Sequence, residues 1–302
     1  MEHVFYAPAK VNLFLKVLSK RDDGYHNIVS IVAPISLYDV IHVEERKDGE
    51  ITITDDKNCL PRGQENTIFR AITLLREKYG VRAGLSVHVV KHIPIGSGLG
   101  GPSTDAASIL KGLSEIWELH TKREELMELG KQIGADVPLF LYGKPCVVKG
   151  IGEKISHLRL PRLWYLVLYP NTILKTKDVY EGLRIVLTKD ENDIKLIQNF
   201  ESVQDVADIL ENDLEKVAIL MCPKIETLKD RLMKAGAFGA LMSGSGSSVF
   251  GVFEREDQVR KAALSFGNGD SGDSVFVVHG VEEGETYGDH RHKDLSSWGE
   301  KS

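Results

Sequence analysis

The sequence predicts an α+β protein of two domains, each an α/β two-layer lobe of strands and helices. Three observations point there. The 302-residue length fits two domains at about 150 residues each. Segments with strand and helix periodicity interleave along the whole chain. A stretch containing Gly150, Gly152 and Pro161 separates two well-patterned halves, which puts the join near residue 158. The expected units are residues 1–158 and 159–281. Residues 282–302, a polar tail without periodicity, are expected to be disordered.

The elements read as follows. Ile51–Thr54 alternates apolar and polar residues, as does the run through Leu85, Val87 and Val89, and both predict strands. Ile68, Ile72, Leu75 and Tyr79 share one helical face, with Asn66 or Thr67 as cap and Gly80 as stop. Ala106, Leu110, Leu113 and Trp117 predict a second helix. Leu126, Leu129 and Ile133 predict a third, opened by a Thr121–Glu124 capping box and closed at Gly134. Trp164–Tyr169 is a continuous apolar run suited to a buried strand. Ile225, Leu228 and Leu232 make a helix ending at Gly236, and Ser248–Phe253 and Val275–Val278 read as strands.

Composition narrows the function. The chain is 42% hydrophobic and 27% charged, ordinary for a globular protein. A net charge of -6 does not supply the clustered cations that nucleic acid requires. No apolar run reaches about 18 residues, so no membrane span is expected. The N-terminus lacks the pattern of a signal or transit peptide. Three cysteines without CxxC spacing fit a reducing compartment, and the cytoplasm is the expected location. His290 and His292 lie in the polar tail, where a solvated end is expected rather than a metal site.

The chemistry concentrates in a few segments. Pro94, Ile95, Gly96, Ser97, Gly98, Leu99, Gly100, Gly101, Pro102, Ser103 and Thr104 follow a predicted strand and open a predicted helix. Glycines let the backbone approach an anion, and the helix start offers unpaired N–H groups with positive dipole character. This predicts a phosphate cradle. No Lys follows the glycines, which excludes the G-x-x-x-x-G-K-[ST] loop. Gly96, Gly98 and Gly101 satisfy G-x-G-x-x-G, but the acidic strand end a dinucleotide fold needs about 20 residues on falls inside the third helix. Protein-kinase signatures are absent. A second glycine loop holds Ser243, Gly244, Ser245 and Gly246, and could close over a nucleotide from the other domain. Lys10 stands in an apolar-patterned segment, where a solvated lysine is the plain alternative to a functional one. Asp136 could serve as the N-cap of a short helix carrying Pro138, as a functional carboxylate, or as both.

The PAKVNLFL opening, the PxGSGLGG loop and the MSGSGSSVF loop, in this order, resemble the three motifs of the GHMP kinase superfamily. Ala9-Lys-Val-Asn12, Arg21-Asp-Asp-Gly-Tyr-His26 and Gly134-Ala-Asp-Val-Pro138 resemble the branch acting on 4-diphosphocytidyl-2-C-methyl-D-erythritol. The likeness covers residues 1 to about 280. It implies a two-domain kinase fold with the active site between the lobes. It also implies ATP and Mg2+ as cofactors and transfer of phosphate to the 2-hydroxyl of a small cytidylyl substrate. Lys10 and Asp136 match the family's catalytic pair, residues 94–104 its ATP loop, Tyr25 and His26 its cytosine contacts, and Asn12 a position beside the substrate. Ser103 or Thr104 would offer the metal a hydroxyl. Pro102 and Asp105 stand where the family more often has Gly and Asn, and Asp105 would add charge near the phosphates unless it faces away or helps hold the metal. No nucleic-acid or membrane partner is implied, and a monomer or homodimer is expected. Another GHMP small-molecule kinase, or a non-catalytic nucleotide-binding module of the same fold, is the alternative.

Overall fold

The computed structural model describes residues 2–183, 200–267 and 272–281. The tail at 282–302 lies outside the described residues. The chain begins with a long antiparallel hairpin, β1 (Glu2–Lys20) and β2 (His26–Arg46). There follow β3 (Ile51–Asp55), α1 (Thr67–Tyr79), β4 (Gly84–Val90), α2 (Gly101–Ile116), α3 (Arg123–Ile133), α4 (Val137–Tyr142), β5 (Cys146–Gly150) and β6 (Lys154–His157). The remainder comprises β7 (Trp164–Tyr169), α5 (Thr176–Glu181), α6 (Val203–Asp208), β8 (Glu211–Asn212), α7 (Glu215–Met221), α8 (Lys224–Lys234), β9 (Gly239–Met242), β10 (Val249–Phe253), α9 (Glu256–Ala263) and β11 (Ser274–His279).

Two sheets result. The first is 7-stranded, with the path β3-β4-β2-β1-β8; β5 pairs with the first part of β2 and carries β6 on its far side. Strand β8 joins it in parallel with Phe14 and Leu15, so this sheet takes residues from beyond position 159. The second is 4-stranded, order β11-β7-β10-β9, antiparallel throughout. Helices α1 to α4 cover one side of the first sheet, closing a core of residues such as Ile41, Ile72, Leu110 and Phe140. A second core lies where both sheets meet and includes Val11, Leu13, Tyr165 and Phe250. A third lies under α7 to α9 and includes Leu166, Leu168, Leu228 and Val259. The apolar run of β7 thus divides by alternation. Tyr165 and Val167 face one core, and Trp164, Leu166 and Leu168 face the other.

The two longest strands leave little trace in the sequence. Residues 7–15 are buried on both faces, which erases alternation, and three register shifts interrupt β1 after Pro8, Asn12 and Val17. Capping meets expectation at α1 and departs from it at α3. Asn66 caps α1 by accepting from Ile68 and Phe69, with Gly80 left-handed at the other end. The Thr121–Glu124 capping box does not form: Lys122 is the N-cap of α3, and the Thr121 hydroxyl bonds Ser114 instead. Trp117 follows α2 as its C-cap, donating from Nε1 to Glu45 at 2.8 Å. Gly134 ends α3 in extended rather than left-handed conformation.

Candidate active site

The glycine loop joins β4 to α2. Gly96, Gly98 and Gly100 adopt φ of 62°, 78° and 83°, the left-handed region that side chains disfavour. Space is equally restrictive: a Cβ on Gly98 would stand 2.1 Å from the Ser243 carbonyl oxygen, and one on Gly100 2.6 Å from the Phe140 ring. The loop is pinned from several sides. Tyr169 donates to the Ile95 carbonyl at 3.1 Å, Ser97 to the Pro94 carbonyl at 2.6 Å, and the Lys10 N–H to the Leu99 carbonyl at 3.0 Å. Helix α2 starts at Gly101 with no side-chain cap, leaving its positive end open toward the loop. Pro102 lacks an N–H, and its carbonyl accepts from Thr67 at 2.6 Å. Ser103 is half-buried at this entrance. Thr104 is fully buried, and its hydroxyl has no partner among the described residues.

Lys10 stands at the junction of the loops. Alternation along β1 sends Ala9, Val11 and Leu13 into the inter-sheet core and turns Lys10 and Asn12 the other way. The Lys10 ammonium donates to Asn12 Oδ1 at 2.5 Å and the Gly98 carbonyl at 2.8 Å, and Asp136 Oδ2 lies 3.9 Å away. Asn12 is held in turn by Ser30, at 2.9 Å from Nδ2. Burial lowers the pKa of Lys10, and the Asp136 charge opposes that shift. Asp136 occupies the N-cap position of α4 but makes no cap bond, so its carboxylate is left to the site, with 44% of its side chain exposed.

The second glycine loop packs straight onto the first. Ser243 Oγ donates to the Gly98 carbonyl at 3.0 Å and accepts from the Asn12 N–H at 3.3 Å. The Ser248 N–H donates to the Ser97 carbonyl at 3.0 Å. A Cβ on Gly244 would lie 3.0 Å from the Lys10 ammonium, and one on Gly246 2.6 Å from Met242 Sδ. Ser245 bonds Thr176 at 2.9 Å. Asn212, on β8, donates to the Met242 and Gly244 carbonyls at 2.9 and 2.8 Å.

Tyr25 and His26 form the turn end of the hairpin. Gly24, at φ 86°, permits the tight reversal, and Asp23 accepts from the Tyr25 N–H at 3.1 Å. Tyr25 is 57% exposed, whereas the His26 ring lies against Tyr180 of α5, centroids 5.0 Å apart. Burial pushes the Tyr180 phenol upward, with the Asp136 charge adding to it. Partial burial, with Lys20 nearby, lowers His26. Asp105 faces away from the loop: it is buried and bonded to Lys91 at 2.8 Å. Burial pushes its carboxyl up to about 7, against the pull of Lys91. Sequence reasoning missed Ser30, Tyr180 and Asn212. Isolated polar or aromatic residues outside a motif carry no signal until the fold sets them beside one.

Residues 66–144 match the model for GHMP kinases, N terminal domain, and residues 193–269 that for GHMP kinases, C terminal. The chain is 40% identical over 280 residues to a 4-diphosphocytidyl-2-C-methyl-D-erythritol kinase of Syntrophotalea carbinolica, covering 92% of this chain and 99% of that protein. The chain belongs to this family of GHMP kinases. A Geotalea daltonii enzyme of the same name is 42% identical over 85% of this chain and 91% of its own. A crystal structure of 4-(cytidine 5'-diphospho)-2C-methyl-D-erythritol kinase superposes with a TM-score of 0.74 at 33% identity, covering 93% of this chain and 100% of that one. Homoserine kinase from Cytophaga hutchinsonii, at 19% identity and TM-score 0.69, shares the fold. As a member of this family the protein is a kinase.

Proposed function

We propose that the protein transfers the terminal phosphoryl group of ATP to the 2-hydroxyl of 4-diphosphocytidyl-2-C-methyl-D-erythritol. The observation that carries the proposal is the Lys10–Asp136 pair, 3.9 Å apart, set against the glycine loop at Gly98. The relatives named above support the choice of acceptor. Phosphoryl transfer requires positioning and charge compensation more than covalent chemistry.

Each part has a role. The N–H groups of residues 95–101 and the open end of α2 bind the phosphates. Asp136 takes the proton of the attacking hydroxyl, and the Lys10 ammonium stabilises the oxygen as negative charge develops on it. Asn12 orients Lys10, since both ends of its amide are engaged by Lys10 and Ser30. Tyr25, His26 and Tyr180 offer aromatic faces and polar edges suited to cytosine.

Magnesium takes oxygen ligands and often keeps several waters, using few protein groups. The oxygen donors here fit that habit, with the half-buried Ser103 hydroxyl and the half-exposed Asp136 carboxylate near the loop and no cluster of three His, Cys, Asp or Glu among the described residues. Ser103 is the hydroxyl that would hold it. Bound there with ATP, the metal would supply charge to offset that of the phosphates. Of the two expected hydroxyls, buried Thr104 is the less suited.

We propose a cytoplasmic location, which the free Cys59, Cys146 and Cys222 favour. No described helix is long and apolar enough to cross a membrane. The domain join is proposed near residue 158, between β6 and β7. The test of function is ADP release with a panel of acceptors. Turnover is expected with the cytidylyl methylerythritol substrate and not with mevalonate, homoserine or galactose. Turnover confined to one of those three would overturn the acceptor assignment.

A further inference from the structure

Three ionisable side chains lie beneath the glycine loop and take no part in the proposed chemistry. Asp39 of β2 is 0% exposed, Lys91 2% and Asp105 1%. Lys91 directly follows β4, and Asp105 lies near the start of α2, so the loop runs between them. Asp39 Oδ1 accepts the backbone N–H groups of His92 at 2.7 Å and Ile93 at 2.8 Å. Its other oxygen accepts from the Lys91 ammonium, which also donates to Asp105 Oδ2 at 2.8 Å. A Cβ on Gly101 would stand 3.5 Å from the Lys91 nitrogen, placing that cation close under the residue that opens α2. Entry and exit of the loop are therefore tied to one carboxylate on the central hairpin.

Packing alone does not account for this cluster. Apolar side chains of similar volume fill buried space as well as ions do or better. The second Asp105 oxygen is buried without a partner among the described residues, a cost that shape filling would avoid. Charge-assisted hydrogen bonds add what apolar contacts lack, a fixed direction as well as a distance.

We propose that Asp39, Lys91 and Asp105 are positioning residues for the nucleotide, holding the two ends of loop 94–100 at the separation that converges its N–H groups on the ATP phosphates. The proposal rests on the reading of this loop as the phosphate site. It separates nucleotide from acceptor: the triad holds the residues that flank the loop, His92, Ile93 and Gly101, while Tyr25, His26 and Tyr180 sit at the hairpin turn and on α5.

The experiment compares the full chain with Asp105→Leu and Asp105→Asn, measuring ADP affinity by calorimetry, KM for each substrate and thermal stability. Asp105→Leu is expected to weaken ADP binding and raise KM for ATP by about ten- to a hundred-fold, the scale of one lost charge-assisted bond. KM for the acceptor should stay within about twofold. Asp105→Asn keeps an oxygen for Lys91 and should restore most of the ADP affinity. Unchanged ADP affinity in folded Asp105→Leu overturns the proposal, as does an equal rise in both KM values. If Asp105→Leu does not fold, Lys91→Arg is read the same way, because it keeps the charge but replaces a compact ammonium by a planar fork. A wild-type chain that binds no ADP sinks the nucleotide reading and this proposal together. Wild-type binding with equal binding by the variant sinks the triad alone.

Discussion

Lys10 is a buried cation whose partners come from three places, Asn12 on its own strand, Gly98 in the first glycine loop and Asp136 at the start of α4, with Gly244 of the second loop packed close beside it. Burial costs such a group unless it is paired, and the site supplies the pairing. Asp136 itself carries little of the fold, being half-exposed and making no cap bond. Asp136→Asn is accordingly expected to lower kcat by about 10²–10⁴-fold while moving Tm little. Near wild-type turnover would remove the carboxylate from the role of base. His26 yields a pH prediction. Its pKa is lowered in the fold, so between that value and about 6.5 the unfolded chain binds more protons. Its contribution to stability is therefore present above about 6.5 and lost as pH falls through that window. Urea denaturation at several pH values should show wild type losing more stability on acidification than His26→Gln; parallel losses would contradict the assignment. Both residues were legible because they stand in compact motifs. Tyr180 and Asn212 were not, since their importance comes only from what the chain folds against them.

At the scale of elements, the two glycine loops were readable as loops because they carry residues that left-handed backbone and close approach demand. Their mutual contact was not readable, because nothing in two segments so far apart in sequence announces that one will press on the other. The structure gives that contact little slack. A methyl group at Gly98 would meet the Ser243 carbonyl at 2.1 Å and also sit on a left-handed residue. Gly98→Ala must push the loops apart, which displaces the carbonyl that Lys10 holds. Loss of most activity is expected, with KM for ATP raised more than KM for the acceptor. Unaltered kinetics in a folded Gly98→Ala protein would show that the close contact is not needed. The long hairpin was missed for a different reason. Strand recognition depends on alternation, and β1 is buried on both faces and shifted three times in register. The expected capping box at Thr121 failed because a hydroxyl can satisfy itself on any nearby group, here Ser114.

Over the whole molecule, the inter-sheet core couples the halves that the sequence pattern separates. Val11 and Leu13 of the first sheet share it with Tyr165, Val167 and Phe250 of the second, and β8 returns to pair with β1. The Lys10 side of β1 is thereby fixed relative to the second glycine loop, which β9 and β10 carry. Phe250 is fully buried, with its ring edge-on to Tyr165 at 5.9 Å. Phe250→Ala should cost about 3–5 kcal/mol, combining lost transfer energy with a cavity. Because the cavity opens between the sheets, the loss should reach both halves. Trp117 borders the core under α1 to α4, and Trp164 lies in the core under α7 to α9. Single-tryptophan proteins retaining one or the other therefore report on different halves. Equilibrium urea curves from the two should coincide in wild type, and in Phe250→Ala both midpoints should fall by the same amount. If the Trp164 midpoint moved while that of Trp117 held, the halves would unfold independently, and the geometry of a site shared between them would need a cause other than this common core.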